Sequence, residues 1–289
     1  MDLILKAQYW CNMEIIQVKG FENISDPVKT EHTIFEQISR LSSTLKTDYV
    51  YVAMPIADFI NKIGLPNTQL IINNVCSQHQ EKKLFFVCQH IQVCNLNFRG
   101  NLVFTPHATI LDSFVPIPHY SCTYDLDLVK PWDEREYEFS FVGSFLTHPV
   151  RRKLYDYFKE RKDCLIVDTG SWHFEGSKEK QEINSRKYVE ILGNTKYSLC
   201  PRGTGPSTIR MWEAMAMGSC PVILSDYLKM PLELFLNSKL WFKIPEEHGI
   251  IDIEQKTYDT QEYWEWFSNE NLYKSIINTI CDIKRKNDC

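Results

Sequence analysis

Apolar and polar positions follow two different periods along the first 130 residues. Short apolar runs typical of buried strands occur at residues 49–54 (YVYVAM), 84–88 (LFFVC) and 102–105 (LVFT), because β-branched and aromatic residues favour strands. Between residues 31 and 45, apolar residues recur every three or four positions, which is the period of an amphipathic helix. The pattern predicts an α/β fold.

The second half repeats this alternation more regularly. Strands are predicted at residues 139–142, 164–167, 197–200 and 221–224, and helices at residues 149–159, 186–192 and 207–217. Such alternation predicts a parallel sheet. Residues 116–138 are rich in Pro, Asp and Tyr and lack periodicity, as a linker would. We therefore predict an N-terminal Rossmann-like domain over residues 1–133, a C-terminal one over 134–260, and a terminal segment of one or two helices over 261–289.

Composition narrows the class of partner. The formal net charge is -5, and no long Lys/Arg run is present, which argues against nucleic acid or an anionic membrane as a partner. The ten cysteines lack zinc-module spacing, so free thiols in a reducing compartment are expected. The N-terminal apolar run is too short for a signal peptide or a transmembrane anchor. We expect a cytoplasmic protein.

A glycine- and proline-rich turn after the strand at 197–200 is the first candidate site. Its sequence, Pro-Arg-Gly-Thr-Gly-Pro over residues 201–206, forces a tight turn. Ser207 or Thr208 can cap the helix that follows, and the N–H groups of that helix start suit an anion such as a diphosphate. Arg202 in the turn, beside Gly203, can donate two hydrogen bonds to phosphate oxygens.

Within the predicted helix, Arg210 and Glu213 share one face, and Gly218 is placed to end the helix. A carboxylate two turns in could accept both hydroxyls of a ribose. The alternative is a surface ion pair between Arg210 and Glu213. A second turn, at Gly143, leads into a helix with Arg151 and Arg152 near its start. Cations there oppose the helix dipole, which indicates a bound anion or, alternatively, solvated arginines.

Residues 196–226, KYSLCPRGTGPSTIRMWEAMAMGSCPVILSD, resemble the signature of exostosin-type glycosyltransferases. The strand FSFVG at residues 139–143, followed by Arg151, is similar to a second motif of that family, and three segments between residues 48 and 107 resemble weaker landmarks. The resemblance implies a GT-B architecture, with two Rossmann-like domains facing across a cleft and the C-terminal helix crossing back to the first domain.

The resemblance also implies inverting transfer from a nucleotide sugar, usually a UDP-sugar, to a hydroxyl of an oligosaccharide or glycoprotein glycan, without a metal or other cofactor. Xylose, glucose, glucuronic acid and galactose are all compatible with the resemblance. The chain resembles compact soluble members from bacteria and algal viruses, and the viral members make UDP-xylose the leading donor. The donor-site candidates carried over are Gly143, Arg151, Arg202, Gly203, Ser207, Thr208, Arg210 and Glu213.

The general base is less well defined. Inverting transfer needs a group that takes the proton of the acceptor hydroxyl. His90 ends an aromatic strand where many relatives have His-Asp, but Ile91 replaces the carboxylate. His90 is the first candidate, with His107 and Asp112 as alternatives, although a strand-end histidine can be purely structural. Trp172 is a candidate for stacking on the acceptor sugar.

Three alternatives remain from the sequence. Asp125 and Asp127 form the Asp-x-Asp pattern that binds a metal in another glycosyltransferase architecture, but they lie in a polar linker and not at a strand end. Loss of catalysis would leave a glycan- or nucleotide-sugar-binding protein of the same fold. An NAD-dependent oxidoreductase is disfavoured because the turn is not Gly-x-Gly-x-x-Gly, although Asp226 lies near the position of a ribose-binding acid.

Overall fold

The computed structural model describes residues 12–20, 29–45, 47–171, 176–231, 241–247 and 260–287. The chain forms two compact units. The first contains the described residues up to Ala108, together with Asp112–Pro118 and those from Leu272 onward. The second contains Thr109–Leu111 and the described residues from His119 to Asn271. The sequence had placed the boundary at residue 133.

The first unit is built on a five-stranded parallel sheet with its strands in chain order. Pairing is in register between Tyr51 and Phe85 and between Phe86 and Val103. Nearly all central positions are buried, as expected where helices cover a parallel sheet. The strands are β1 (Ile15–Gln17), β2 (Tyr49–Ala53), β3 (Lys83–Val87), β4 (Leu102–Thr105) and β5 (Val115–Pro116).

Helices α1 (Thr30–Leu41), α2 (Ile56–Gln78) and α7 (Leu272–Asn287) complete this unit. The amphipathic pattern correctly predicts α1, which buries Ile34 and Ile38. Helix α7 packs against α1, and the Tyr273 N–H donates to Gln37 Oε1 over 3.1 Å. The C-terminal helix thus belongs to the first unit, as the sequence predicted.

Helix α2 is missing from the sequence prediction because two helix breakers lie inside it. Gly64 has φ 80° and interrupts the helical backbone, so that α2 is two helices joined at a kink. Pro66 lies just after the kink, in the first turn of the second part, where its missing N–H breaks no helical hydrogen bond. Gly64 does end the first helical part, but the chain resumes a helix at once.

A buried carboxylate joins the helices of this unit to its sheet. Glu31 is 4% exposed. Its carboxylate accepts from the Ala57 N–H at the start of α2 (3.1 and 3.2 Å) and from the Gln89 N–H after β3 (2.8 Å). The Glu31 N–H donates in turn to Gln89 Oε1 over 3.0 Å. One side chain therefore satisfies two buried backbone donors from separate elements.

The second unit has its own five-stranded parallel sheet, in the order β10-β9-β8-β6-β7. Tyr197 on β8 lies between Phe139 on β6 and Cys220 on β9. Stacked aromatic rings, including Phe139 against Tyr197 at 5.4 Å, form its core. The strands are β6 (Tyr137–Val142), β7 (Cys164–Val167), β8 (Thr195–Pro201), β9 (Cys220–Leu224) and β10 (Phe242–Lys243).

The helices of the second unit are α3 (Pro149–Phe158), α4 (Lys178–Gly193), α5 (Arg210–Ala216) and α6 (Gln261–Phe267). Helix α4 begins earlier than predicted, because Ser177 caps it by accepting from the Lys180 N–H. Helix α5 is shorter than the predicted 207–217. It ends as expected, since Gly218 follows with φ 65°.

The predicted linker over residues 116–138 is only partly a linker. From His119 onward it packs in the second unit and contains short 3-10 helices at Leu126–Leu128 and Trp132–Glu134. The buried Arg135 guanidinium donates to the Thr195 and Gly218 carbonyl oxygens, at 2.9 and 2.6 Å. Asn269 binds both the N–H and the C=O of Ser121.

Two parallel α/β sheets confirm the predicted fold class. The eight cysteines that the structure describes form no disulfide with one another. Within the described ranges, no helix combines the length and the apolar character needed to cross a bilayer.

We expect Glu31→Ala to lower the free energy of unfolding by about 2 to 4 kcal/mol, because it leaves two buried backbone N–H groups without an acceptor. The matched control is Glu36→Ala on the same helix, where the carboxylate is half exposed and its ion pairs with His32 and Arg40 are weak. Denaturant titration of both variants measures the difference. Equal losses in the two variants would contradict the role given to Glu31.

Candidate functional site

The order of strands in the second unit identifies one edge of its sheet as the expected ligand site. Strand β6 lies between β7 and β8, so the chain leaves β6 and β8 toward opposite sides of the sheet. Ligands of open α/β sheets bind outside the carboxyl ends of the strands at such a switch point. Here the two turns at that point are the Gly143 turn after β6 and the Arg202 turn after β8.

Arg151 on α3 connects the two turns. Its Nε donates to the Arg202 carbonyl oxygen over 3.0 Å, and its Nη1 donates to the Ser144 carbonyl oxygen over 2.9 Å. The residue is 8% exposed. Burial, and then the nearby Arg210, lower the pKa of Arg151 to about 9. A buried cation beside a second cation has a local excess of positive charge, which favours a bound anion.

Arg210, the first residue of α5, lies over the Phe141 ring at 4.4 Å from its centroid. Its Nη2 donates to the Val142 carbonyl oxygen. Its Nε and Nη1 are buried, and no hydrogen-bond partner for them is found among the described residues. Two buried donors on one guanidinium are costly unless a ligand supplies acceptors. Together Arg151, Arg202 and Arg210 form what we term the arginine cluster.

At two of the predicted positions, glycine leaves room for guanidinium groups that pass close to the backbone. A Cβ at Gly143 would lie 2.5 Å from Arg210 Nη2, and a Cβ at Gly203 would lie 3.0 Å from Arg151 Nη2. The first distance is a clash. The predicted importance of these glycines thus has a steric cause, which the turn chemistry alone did not identify.

The predicted capping role of Ser207 and Thr208 is wrong. Helix α5 begins at Arg210, its N-cap position is Ile209, and no side chain caps it. The turn that starts at Gly203 continues through Thr208, and the resulting helix has only seven residues. Ser207 is 6% exposed, and its Oγ has no hydrogen-bond partner in the part of the chain that the structure describes. The hydroxyl is therefore a buried donor in the turn after β8 and not a helix cap.

Glu213 is buried, so the alternative of a surface ion pair is wrong. Its Oε1 accepts from the Thr123 N–H over 3.0 Å and its Oε2 accepts from the Tyr188 hydroxyl over 2.8 Å. Burial raises its pKa to about 7, against the opposing effects of the Tyr188 hydrogen bond and Arg210. Each carboxylate oxygen can accept a further hydrogen bond, so a ribose contact is still available and stays a prediction.

The structure adds His148 and Glu246 to this edge. Glu246 Oε1 lies 3.8 Å from Arg202 Nη1, and Oε2 lies 3.9 Å from His148 Nε2. His148 caps α3, because its Nδ1 accepts from the Val150 N–H over 3.3 Å. Burial and then Arg202 lower its pKa. The sequence Thr-His-Pro at a helix start signalled His148, but nothing signalled Glu246, since the two-residue strand β10 before it has no recognisable pattern.

Arg152 contributes less than the sequence indicated. Its guanidinium lies over the Phe145 and Tyr155 rings, at 5.9 and 5.6 Å from their centroids. The guanidinium of the preceding residue, Arg151, is the one that reaches the two turns. Only one of the two arginines at the start of α3 thus reaches the turns, and anion binding there stays a prediction.

The base candidates lie in the first unit, and their environments differ. His107 is buried, and burial lowers its pKa to about 4. His90 is partly exposed; its Nδ1 accepts from the Gln92 N–H over 3.1 Å and its Nε2 is 3.2 Å from Asn61 Oδ1. Asp112 accepts from the Phe114 N–H over 2.9 Å. Their catalytic roles stay predictions.

The remaining predictions concern a metal and an acceptor contact. Asp125 accepts from the Asp127 N–H and caps a 3-10 helix, which gives the Asp-x-Asp pattern a local structural role. Across the described ranges, no group of three or more His, Cys, Asp or Glu is placed to hold a metal ion. Trp172, the predicted acceptor contact, lies outside the described residues.

Curated proteins are similar to part of the chain. Ribitol-5-phosphate xylosyltransferase 1 of Danio rerio is 27% identical over 158 residues, and its counterpart in Mus musculus is 24% identical over 163 residues. Each alignment covers 47% of this chain and 35% of the relative, so the matched segment spans about a third of those proteins.

Similarity to solved structures is weak. The crystal structure of the GtfA/B complex aligns with a TM-score of 0.38 and 11% identity over 89% of this chain and 61% of that one. The structure of TarM aligns with a TM-score of 0.29 and 10% identity over 73% and 53%. The fold assignment therefore depends on the two sheets themselves.

A model of the Exostosin GT47 domain matches residues 76–241. That range is more than half of the chain, and it contains both turns and the whole arginine cluster. The chain belongs to the exostosin GT47 family.

Proposed function

We propose that the protein transfers a sugar from a nucleotide-sugar donor, a UDP-sugar, to a hydroxyl of a glycan acceptor, with inversion and without a metal. The observation that carries this proposal is the arginine cluster at the carboxyl ends of β6 and β8. It presents two buried donors of Arg210 for which the described residues offer no acceptor.

The cluster suits the departure of a nucleoside diphosphate. As the bond to the anomeric carbon breaks, negative charge develops on the leaving phosphate. Fixed guanidinium groups stabilise that charge, and they do so more strongly in a site of low dielectric than in water. Arg151 is held by two backbone carbonyls and Arg210 by one. Both are therefore positioned before the donor binds, which is why a divalent ion is not needed in this proposal.

The donor sugar and the acceptor are finer parts of the proposal. The two relatives are named xylosyltransferases that act on ribitol-5-phosphate. Their likeness supports UDP-xylose as donor and a hydroxyl of a glycan as acceptor. A GT-B arrangement, in which the second unit holds the nucleotide and the first supplies the acceptor side, agrees with the position of the cluster in the second unit.

We retain His90 as the proposed general base. Its ring is partly exposed, whereas the burial that lowers the pKa of His107 to about 4 makes His107 a weak base. A binding protein without catalysis is the second candidate function. It is favoured by the engagement of both His90 ring nitrogens with Gln92 and Asn61.

Release of UDP from a panel of UDP-sugars, in the presence of a xylose- or ribitol-containing acceptor, tests the function. We expect turnover with UDP-xylose that is unchanged by EDTA, because arginines and not a metal neutralise the leaving group. Activity that EDTA abolishes and manganese restores would disprove the metal-independent mechanism. Binding of UDP without turnover of any donor would identify the second candidate.

Separate variants test the phosphate and ribose contacts. Arg202→Gln should weaken UDP and pyrophosphate alike, by about tenfold or more, because it removes a charged donor to phosphate. Glu213→Gln should weaken UDP by about tenfold and leave pyrophosphate unchanged, because only UDP has a ribose. Calorimetric titration measures both ligands.

Arg186→Gln is the matched control for the arginine variant, since Arg186 is exposed on α4 and pairs only with Glu190 among the contacts described. It should bind UDP as the wild type does. If Glu213→Gln binds UDP fully, Glu213 does not contact the ribose and serves only to hold Thr123 and Tyr188.

Glu213 also predicts how stability depends on pH. Burial raises its pKa from 4.5 to about 7, so the folded protein holds this proton more tightly than the unfolded chain. The contribution of protonated Glu213 to the free energy of unfolding is fully present below pH 4.5. It is lost as the pH rises through about 7. The free energy of unfolding of Glu213→Gln, relative to that of the wild type, should rise by about 1 to 3 kcal/mol between pH 4.5 and pH 8. Denaturant titrations across this range measure the gain, and parallel pH profiles would contradict it.

A further inference from the structure

Two carboxylates lie beside the arginine cluster, at the ends of β9 and β10. The Asp226 N–H donates to Glu246 Oε1 over 3.1 Å, and the Glu246 N–H donates to Asp226 Oδ1 over 3.0 Å. This reciprocal pairing fixes both backbones and holds the two side chains together. We term Asp226 and Glu246 the acidic pair.

The acidic pair is next to the part of the cluster assigned to phosphate. Glu246 Oε1 is 3.8 Å from Arg202 Nη1, and its Oε2 is 3.9 Å from His148 Nε2. In a nucleotide sugar, the sugar is attached to the terminal phosphate. A sugar whose phosphate binds Arg202 therefore lies within reach of the acidic pair.

The residue next to the acidic pair in the chain has a buried hydroxyl. Ser225, directly before Asp226, is 1% exposed, and its buried Oγ has no hydrogen-bond partner within the described residues. Such a hydroxyl needs a partner. Asp226 itself is exposed. Among the described contacts with Glu246, its carboxylate uses Oδ1 and not Oδ2.

Carboxylates suit one class of sugar and disfavour another. They accept hydrogen bonds from neighbouring hydroxyls, which every neutral pentose or hexose provides. A uronic acid adds a third carboxylate, and like charges at close range repel strongly where water is partly excluded. The side chains of Arg202 and His148 also face this position. Glu246 lies near both of them, so its carboxylate already offsets their positive charge.

We propose that Asp226 and Glu246 form the subsite for the donor sugar and restrict it to uncharged sugars, excluding uronic acids. The proposal rests on the proposed transfer from a UDP-sugar. Asp226 lies within residues 76–241 matched to the family, and Glu246 lies five residues beyond them.

UDP-xylose and UDP-glucuronic acid form a matched pair of probes, because xylose is glucuronic acid without its carboxylate. Calorimetric titration of the intact protein should show UDP-glucuronic acid binding at least about tenfold more weakly than UDP-xylose. Glu246→Gln and, separately, Asp226→Asn should reduce that ratio about fivefold or more, because each removes one repelling charge. Glu246→Gln keeps an oxygen for the Asp226 N–H.

Glu247→Gln is the control, since Glu247 is exposed and one residue away, and the substitution changes the net charge equally. It should leave the ratio unchanged. Equal affinity of the wild type for the two donors, or a ratio that neither acidic-pair variant alters, would overturn the proposal. A titration with UDP alone separates failure of the proposed function from failure of this inference. If UDP does not bind, the proposed function fails. If UDP binds but UDP-xylose and UDP-glucuronic acid are not discriminated, only this inference fails.

Discussion

A guanidinium group that is removed from water must replace its lost hydration, and Arg151 and Arg210 do so with backbone carbonyls at the ends of β6 and β8. Arg151 binds the carbonyls of Ser144 and Arg202, and Arg210 binds that of Val142. Carbonyls neutralise no charge, so the buried Arg151 and the partly buried Arg210 remain two cations close together. Gly143 and the Phe141 ring both lie against the Arg210 guanidinium, and two donors of Arg210 find no acceptor among the described residues.

Glu213 shows how closely the candidate site is joined to the rest of the second unit. Its carboxylate holds the Thr123 backbone and the Tyr188 hydroxyl of α4. A ligand that hydrogen-bonds to Glu213 thus acts on a side chain that already fixes two other elements. Burial raises the pKa of Glu213 to about 7, whereas the hydrogen bonds from Tyr188 and Thr123 lower it and so favour the charged carboxylate.

The sequence predicted those features that depend on local chemistry. The strands β4 and β7 were placed without error, and Gly218 ends α5 because a left-handed residue is needed there. Predictions failed where tertiary contacts outweigh local signals. No helix was predicted over residues 56–78, where Gly64 and Pro66 are helix breakers, yet α2 continues beyond the kink. Glu246 is a candidate only because it lies near Arg202 in the folded chain, and no spacing within the sequence indicates that proximity.

The position of α7 has a practical consequence for dissecting the protein. It is the last described element of the chain, but it packs on α1 in the first unit, so that unit is discontinuous in sequence. A fragment cut after Pro118 would lack α7 and expose the face of α1 that it covers. Separate production of the first unit therefore calls for a fusion of its two segments, in which residues 272–287 are joined to the first 118 residues by a new linker.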